Sequence, residues 1–543
     1  MGRGFVKGAV FVAAAGLGMA LAGSAWAAED AAAKALADAA YAAMGMNDRY
    51  AGEGSPPDQL TILVAKGSMK QWDPGESESV ADPLTPDWGT ATFTNTWDHT
   101  RDEWRTEWVR PKAGGGTRNY VEVYSLTAGY VMGVDVNGAM PARTLQGMPR
   151  HTMSATRLRT LLREQERDEI VTSMHENPER LSSLPNQTSG GKTYPAVQYK
   201  GDNGTFVVMF DAATHLPAVV RTRDFDAHMG DADYDAAYSD WRPVGNNGRF
   251  KLPFHVVYTL NGVNIFDETV DSYAINGLLA GDAFNAPIAL RGKAPKPAAA
   301  EKTPFQWVIR RLANGFYLDS DALYTDEGGT LALTDVGPNI SMVTGGSHNT
   351  LVVATNDSLV AFEAPGDDGL SNWIIDAAAK KYPGKPFKYV VLTHHHIDHT
   401  GGIRAYAAQG AAIVVGKGNG DFFKKALAAP QSLNMYGTKS ATPNVIEVDG
   451  KWSVTVGGRT IEAYSLDNPH ATGYVIPYVP DAKMGFVTDL WNPGPPPATP
   501  ANPNMVAIVR GMEKAGITPD KFAGGHGAVG NYADLVAAVG SAR

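Results

Sequence analysis

The first half of the chain alternates. Between Thr61 and Val270, runs such as "TILVAKGSM", "ATFTNTWDH", "DEWRTEWVR", "YVEVYSL", "GTFVVMFD", "AVVRTRD" and "FHVVYTLNGVNIFDETV" are rich in β-branched and aromatic residues and bounded by Gly, Asn, Asp and Pro. Mostly period two, they predict an antiparallel meander. One stretch breaks the rhythm. In "SATRLRTLLREQERDEIVTSMHENPERL", from Ser154, the apolar Leu158, Leu161, Leu162 and Ile170 fall near helical spacing with charge between them, so a helix is expected to pack on a large curved sheet.

The texture changes at Arg291. "RGKAPKPAAAEKTPF" has no apolar period and the composition of a semi-rigid linker. Beyond it, "NTLVVATNDSLVAFEA", "FKYVVLT", "AAIVVG", "RTIEAYSL" and "MGFVTDL" alternate with helical runs around Ser371–Lys380, Ile403–Ala408 and Gly420–Ala428, an α/β arrangement. The Pro-rich "WNPGPPPATPANPNM" from Trp491 reads as an irregular loop within that domain. The expected division is 28–290 for a mainly antiparallel β (α+β) domain, 291–304 for the linker and 305–543 for the α/β domain.

Length and charge narrow the picture. A chain of 543 residues exceeds one ordinary core. Its net charge of −10 and pI near 5.7 leave no basic footprint for nucleic acid, and a small-molecule partner is expected instead. Residues 1–27 read as a signal peptide: Arg3 and Lys7, then "GAVFVAAAGLGMALAG", then Ala25-Trp26-Ala27 before the cleavage point. That run falls short of the roughly 20 strongly apolar residues a membrane span needs. A periplasmic or secreted location follows, with no membrane span. There is no cysteine, so no metal ligand here is a thiolate and the leader is not that of a lipoprotein.

Candidate chemistry concentrates in "THHHIDHTGG", Thr393–Gly402. It follows an apolar strand, and on an extended backbone alternate residues share a side. His394 and His396 therefore face one way and His395 the other. The chain then turns through Asp398 and His399, and Gly401-Gly402 are expected to free the backbone for the next helix. Spacing of this kind offers His394 and His396 to one metal ion and Asp398 and His399 to a neighbour. Imidazoles with carboxylates suit zinc, iron or manganese.

The stretch "THHHIDHTGG" resembles the His-x-His-x-Asp-His signature of the metallo-beta-lactamase superfamily, and three later motifs follow in the family's order: His470 in "NPHATG", Asp489 in "FVTDLW" and His526 in "GGHG". The resemblance covers about Phe305 to Arg543 and implies an αββα sandwich. It also implies a binuclear centre with two divalent metal ions, most simply Zn2+, with Fe or Mn as alternatives. His394, His396 and His470 would hold the first ion, Asp398, His399 and His526 the second, and Asp489 would bridge them. His395 is left a packing or supporting role.

Two such ions lower the pKa of a shared water from about 15.7 toward neutrality, so that a metal-bound hydroxide could attack an ester, lactone, thioester, phosphoester or sulfoester, with Asp398 and Asp489 orienting it. Departures from subfamilies shape the choice. Two subclasses of true β-lactamase place a cysteine at the second ion, and the third lacks the bridging carboxylate that Asp489 supplies. A β-lactam hydrolase of the cysteine-free kind is the first alternative. An exported carrier of lipid or another apolar ligand, with an inactive metal domain, is the second. Trp72, Trp88, Trp97, Trp104 and Trp108 are candidates for lining an apolar groove. The segment Gly418–Ser440 and the loop after Trp491 are expected to wall the active site.

Overall fold

The computed structural model describes residues 30–46, 60–82, 89–111, 116–135, 150–245, 248–314, 331–345 and 348–540. The expected leader and Trp88 lie outside them. Asp30 opens the first element: its carboxylate accepts hydrogen bonds from Ala32 N (3.1 Å) and Ala33 N (3.0 Å), capping helix Ala31–Ala43 where free N–H groups need an acceptor. The period-two reading does not anticipate this helix. Its inward stripe is Ala33, Ala37, Ala40 and Tyr41, too weakly apolar to stand out from the alanine-rich run around it.

Thirteen strands then form one antiparallel sheet. The chain runs outward from Ile62–Gln71 through five more strands to an edge at Arg150–Thr152, reappears at the opposite edge with Leu181–Ser189, and returns through seven strands to Val263–Ile275. That last strand pairs with Ile62–Gln71, so the first and last strands lie at the centre. The two edges are joined by helices Ala155–Asp168 and Ile170–Glu176, which must therefore cross the sheet. Ser154 caps the first of them by accepting from Arg157 N at 3.1 Å.

That helix is fastened by its arginines as much as by its leucines. Leu158 and Leu162 pack among Trp104, Tyr120, Tyr124 and Val131. Buried Arg157 pairs with Glu122 (2.8 Å) and Asp135 (2.6 Å), and buried Arg163 grips both oxygens of Asp224 (2.6 and 3.1 Å). Arg167 donates to Val220 O (2.7 Å) and Thr222 Oγ1 (3.0 Å). A guanidinium tolerates burial when its donors are met in this way.

The C-terminal domain is a four-layer αββα sandwich preceded by the antiparallel β domain. A seven-stranded sheet runs in chain order from Ala332–Gly337 to Val445–Val448, and its last four strands are parallel. Those strands are apolar nearly throughout, as strands covered on both faces must be. Helices Asp368–Lys381, Ile403–Ala408 and Gly420–Ala428 contribute to the core on its outer side. A six-stranded sheet from Lys451–Val456 to Val529–Asn531 packs against its inner face, and helices Pro503–Ala515 and Tyr532–Gly540 cover the far side. No helix among the described residues is long and apolar enough to cross a membrane.

The two domains interlock. Helix Phe305–Asn314 packs against helix Ala155–Asp168 and strand Pro217–Asp226 of the first sheet. From it, Arg310 reaches Asp73 (3.2 Å) and Asp226, while Arg311 reaches Glu76 (3.1 Å). Part of Gly418–Ser440 is used for docking as well: Ser432 N, Ser432 Oγ and Leu433 N all donate to Asp231 of the first sheet (2.9, 2.6 and 2.8 Å).

Candidate metal centre

Six strand boundaries of the sandwich deliver their side chains to one edge. His394–His399 follows strand Phe387–Val391, Glu363 follows Leu359–Phe362, and His470 follows Arg459–Leu466. Asp489 comes just after Met484–Val487 and His526 just after Lys521–Gly524, while His348 lies just before Leu351–Ala354. Residues more than a hundred apart in sequence thus converge because the topology stacks these strand ends.

Strand alternation holds through the histidine run. His394 and His396 turn into the site, and His395 belongs to neither group of donors; its ring lies 6.4 Å from Phe422, edge-on, with both nitrogens buried and without a hydrogen bond. The following turn is tied down from the other domain. His228 Nε2 meets Thr400 Oγ1 at 2.7 Å, and Thr400 donates to His396 O at 2.8 Å. The glycines here serve closeness and not backbone freedom, contrary to expectation. Gly401 has φ −61 and Gly402 φ −94, which any residue adopts, but a Cβ on Gly401 would sit 1.9 Å from Gly366 O and one on Gly402 2.0 Å from Ser371 Oγ.

All seven residues expected in the site come together, in two groups. His394, His396, His470 and Asp489 bring their ligating atoms within 4.8 Å of one another, as do Asp398, His399, His526 and His348. Asp489 belongs to both in distance: its Oδ2 lies 3.2 Å from His394 Nε2, 3.2 Å from His470 Nε2 and 3.0 Å from His399 Nε2, and its Oδ1 lies 2.9 Å from His526 Nε2. Asp489 has φ 59, a left-handed backbone that turns its carboxylate out of the strand line.

Three carboxylates and a hydroxyl orient the rings. Glu363 accepts from Thr393 N (2.8 Å) and Thr393 Oγ1 (2.7 Å) and contacts His399 Nδ1 at 2.6 Å, while Thr393 Oγ1 meets His394 Nδ1 at 2.9 Å. One buried glutamate therefore fixes two imidazoles with their Nε2 atoms facing inward. His348 Nε2 contacts Asp398 Oδ2 at 2.8 Å. From the N-terminal domain, Ser77 O accepts from His396 Nε2 at 2.8 Å, and Glu76 Oε2 lies 3.5 Å from His396 Nδ1. Glu76, His396 and Asp398 form a third cluster of ligating atoms. Ile397 N also bonds Gly75 O (2.9 Å), so the loop after the first strand is part of the site's wall.

His348, Glu363 and Glu76 escape sequence reasoning. Each is a lone residue with no spacing partner, and only strand-end convergence or domain docking brings it near. The remaining signal for Glu363 is its place one residue past an apolar strand.

The electrostatics favour cations. Burial holds His394 well below the ordinary imidazole range and brings His396 and His348 down to about 3, leaving lone pairs free. Burial would also lower His399, but the charges of Asp489, Asp398 and Glu363 around it win and raise it strongly. Burial alone would raise Asp398 and Asp489; the charge of His399 outweighs it and both stay well below the carboxylate range. Asp398 Oδ1 remains buried without a hydrogen bond, the kind of atom a bound cation would satisfy.

Residues 333–534 match the family model described as the metallo-beta-lactamase superfamily. No curated protein matches the chain. Among solved structures, a metallo-beta-lactamase from Pontibacter korlensis is similar at 20% identity, covering 39% of this chain and 98% of its own, with a TM-score of 0.31. A stereoselective inverting sec-alkylsulfatase from Pseudomonas sp. is similar at 19% identity over 44% of this chain and 43% of its own, TM-score 0.30. The rubredoxin oxygen:oxidoreductase from Desulfovibrio gigas is similar at 14% identity over 39% and 60%, TM-score 0.30.

Proposed function

Taking residues 333–534 as a metallo-beta-lactamase superfamily domain, we propose that the protein is a metal-dependent hydrolase with two metal positions sharing Asp489. The observation that carries this reading is the pair of donor groups meeting on one carboxylate. The donors fit divalent ions: the His394 and His396 imidazoles that burial keeps neutral, carboxylates held ionised, and Asp398 Oδ1, buried without a hydrogen bond. His394, His396 and His470 would hold one ion, and Asp398, His399 and His526 the other. Bound there, two divalent ions supply Lewis acidity and a water acidic enough to attack near neutral pH.

The chain's own residues do the rest. Glu363 and Thr393 keep His399 and His394 in the tautomer whose Nε2 faces inward. His348 holds one oxygen of Asp398 and leaves the other free to face the site. Asp398 and Asp489 would accept the proton and orient the attacking oxygen. Esters, lactones, thioesters, phosphoesters and sulfoesters are the substrate classes, with a cysteine-free β-lactam hydrolase as the alternative.

Metal analysis of purified protein tests the first half, with about two ions per chain expected. Turnover of p-nitrophenyl esters, lactones, thioesters, phosphodiesters, sulfates and a chromogenic cephalosporin tests the second. Protein that binds no stoichiometric metal, or His396→Ala protein that keeps full metal and full turnover, would end the proposal. From the sequence of residues 1–27 and of the Ala/Pro/Lys stretch we further propose export with cleavage near Ala28 and a domain division at 291–304. N-terminal sequencing of exported protein checks the first of these.

A further inference from the structure

The sheet domain carries a second candidate site, whose lining includes none of the expected metal ligands. Two adjoining cavities of about 140 and 150 Å³ lie between the crossing helices and the face of the sheet. They share Asn95, Trp97, Gln165, Asp168, Tyr258 and Glu268, so they form one groove with these residues at its waist. On one side of the waist its wall is mainly apolar and aromatic, with Leu63, Val220, Tyr238, Trp241 and Tyr273; on the other, Trp104 and Phe266 share the wall with Arg105, Arg110, Glu122 and Glu164.

Two carboxylates at the waist of an apolar groove need an explanation. Glu268 is half-buried and Asp168 is exposed, and both line the groove on either side of its waist. Neither has a hydrogen bond or an ion pair among the described residues. Arg167, which also lines the groove, is bonded to Val220 O, Thr222 and Glu164. Burial pushes the Glu268 carboxyl up to about 7, and burial together with the facing charge of Glu268 raises Asp168 strongly. Beside them, Asn95 Oδ1 and the Tyr238 hydroxyl are buried with no hydrogen-bond partner among the described residues.

A half-buried acid without a partner, as Glu268 is, costs the fold stability that a bound cation would return, and Asp168 adds a second negative charge beside it. Aromatic faces add to this, because the π face attracts a cation as well as an apolar body. We propose that this groove binds an apolar molecule bearing a positively charged amine, with the amine seated between Asp168 and Glu268 and the apolar body along the aromatic wall. At the waist an anionic amphiphile would face two carboxylates and is disfavoured there, Arg105 and Arg110 lying on only one side of it. A neutral one would gain the wall and leave the acids unpaired.

Calorimetric titration of the full-length metallated protein with octylamine, octanol and octanoate tests this. Octylamine is expected to bind at least about tenfold more tightly than octanol, the factor one charge-assisted contact supplies, and octanoate more weakly than either. An Asp168→Asn/Glu268→Gln double variant should bring octylamine to the affinity of octanol and leave octanol unchanged. It removes two unpaired acids, so it should fold at least as stably, which circular dichroism checks. Equal binding of octylamine and octanol, no binding of octylamine, or a double variant that keeps the amine preference would each overturn the proposal.

Discussion

Carboxylates are handled in opposite ways at the two places that helix Phe305–Asn314 borders. At the metal edge, Asp398 and Asp489 lie against imidazoles and the Arg311 guanidinium and stay ionised well below the ordinary range. In the sheet groove, Asp168 and Glu268 have no such partners and are pushed up. One helix borders both places: Ile309 and Leu312 line the groove, while Arg310 and Arg311 hold the loop beside the metal edge. Burial alone therefore does not mark a reactive acid. What its neighbours offer decides whether it stays charged, and which cation it calls for.

The contrast can be broken at several points. The largest effect is expected from Asp489→Ala, which removes the carboxylate common to both donor groups. Turnover should fall on the order of 10³-fold or more with loss of bound metal, and an Asp489→Ala protein with both ions and full activity would break the shared-carboxylate picture. Glu363→Gln should cost about 10- to 100-fold in metal affinity or turnover, because His399 loses the acceptor that sets its tautomer. Glu76→Gln should weaken metal affinity by about tenfold although it changes only the N-terminal domain; no change would show that the two domains merely touch.

The smallest effect concerns stability and has the opposite sign. Glu268 has a folded-state pKa raised from 4.5 to about 7. Its neutral form favours the fold below pH 4.5, and that contribution is lost as pH rises through 7. Glu268→Gln should therefore match the parent protein near pH 4 and exceed it at pH 8 by roughly 2 kcal/mol, a figure reduced for the groove's openness. Thermal denaturation at the two pH values measures this, and a variant less stable than the parent at pH 8 would show that Glu268 has a partner after all.

Much of the metal edge was legible because its grammar is local. Strand alternation separates His394 and His396 from His395, and a short turn brings Asp398 and His399 after them. The arginines of helix Ala155–Asp168 were not legible as anchors: charge at helical spacing reads as a solvated face, and only the carboxylates of distant strands make Arg157 and Arg163 interior residues. The glycines after His399 were legible as a requirement but not for its reason, since the close approach is to Gly366 and Ser371 on another segment.

The sequence by itself determined the period-two and α/β halves, the order of the seven expected site residues and the absence of thiolates. Each follows from neighbours along the chain or from composition. Tertiary structure alone decided that His348 and Glu363 steer the imidazoles and Asp398, that Glu76 of one domain stands beside His396 of the other, and that Asp168 and Glu268 meet at the waist of one groove. Such pairings depend on which strand ends and which helix faces the topology stacks together, and no local spacing in the chain records that.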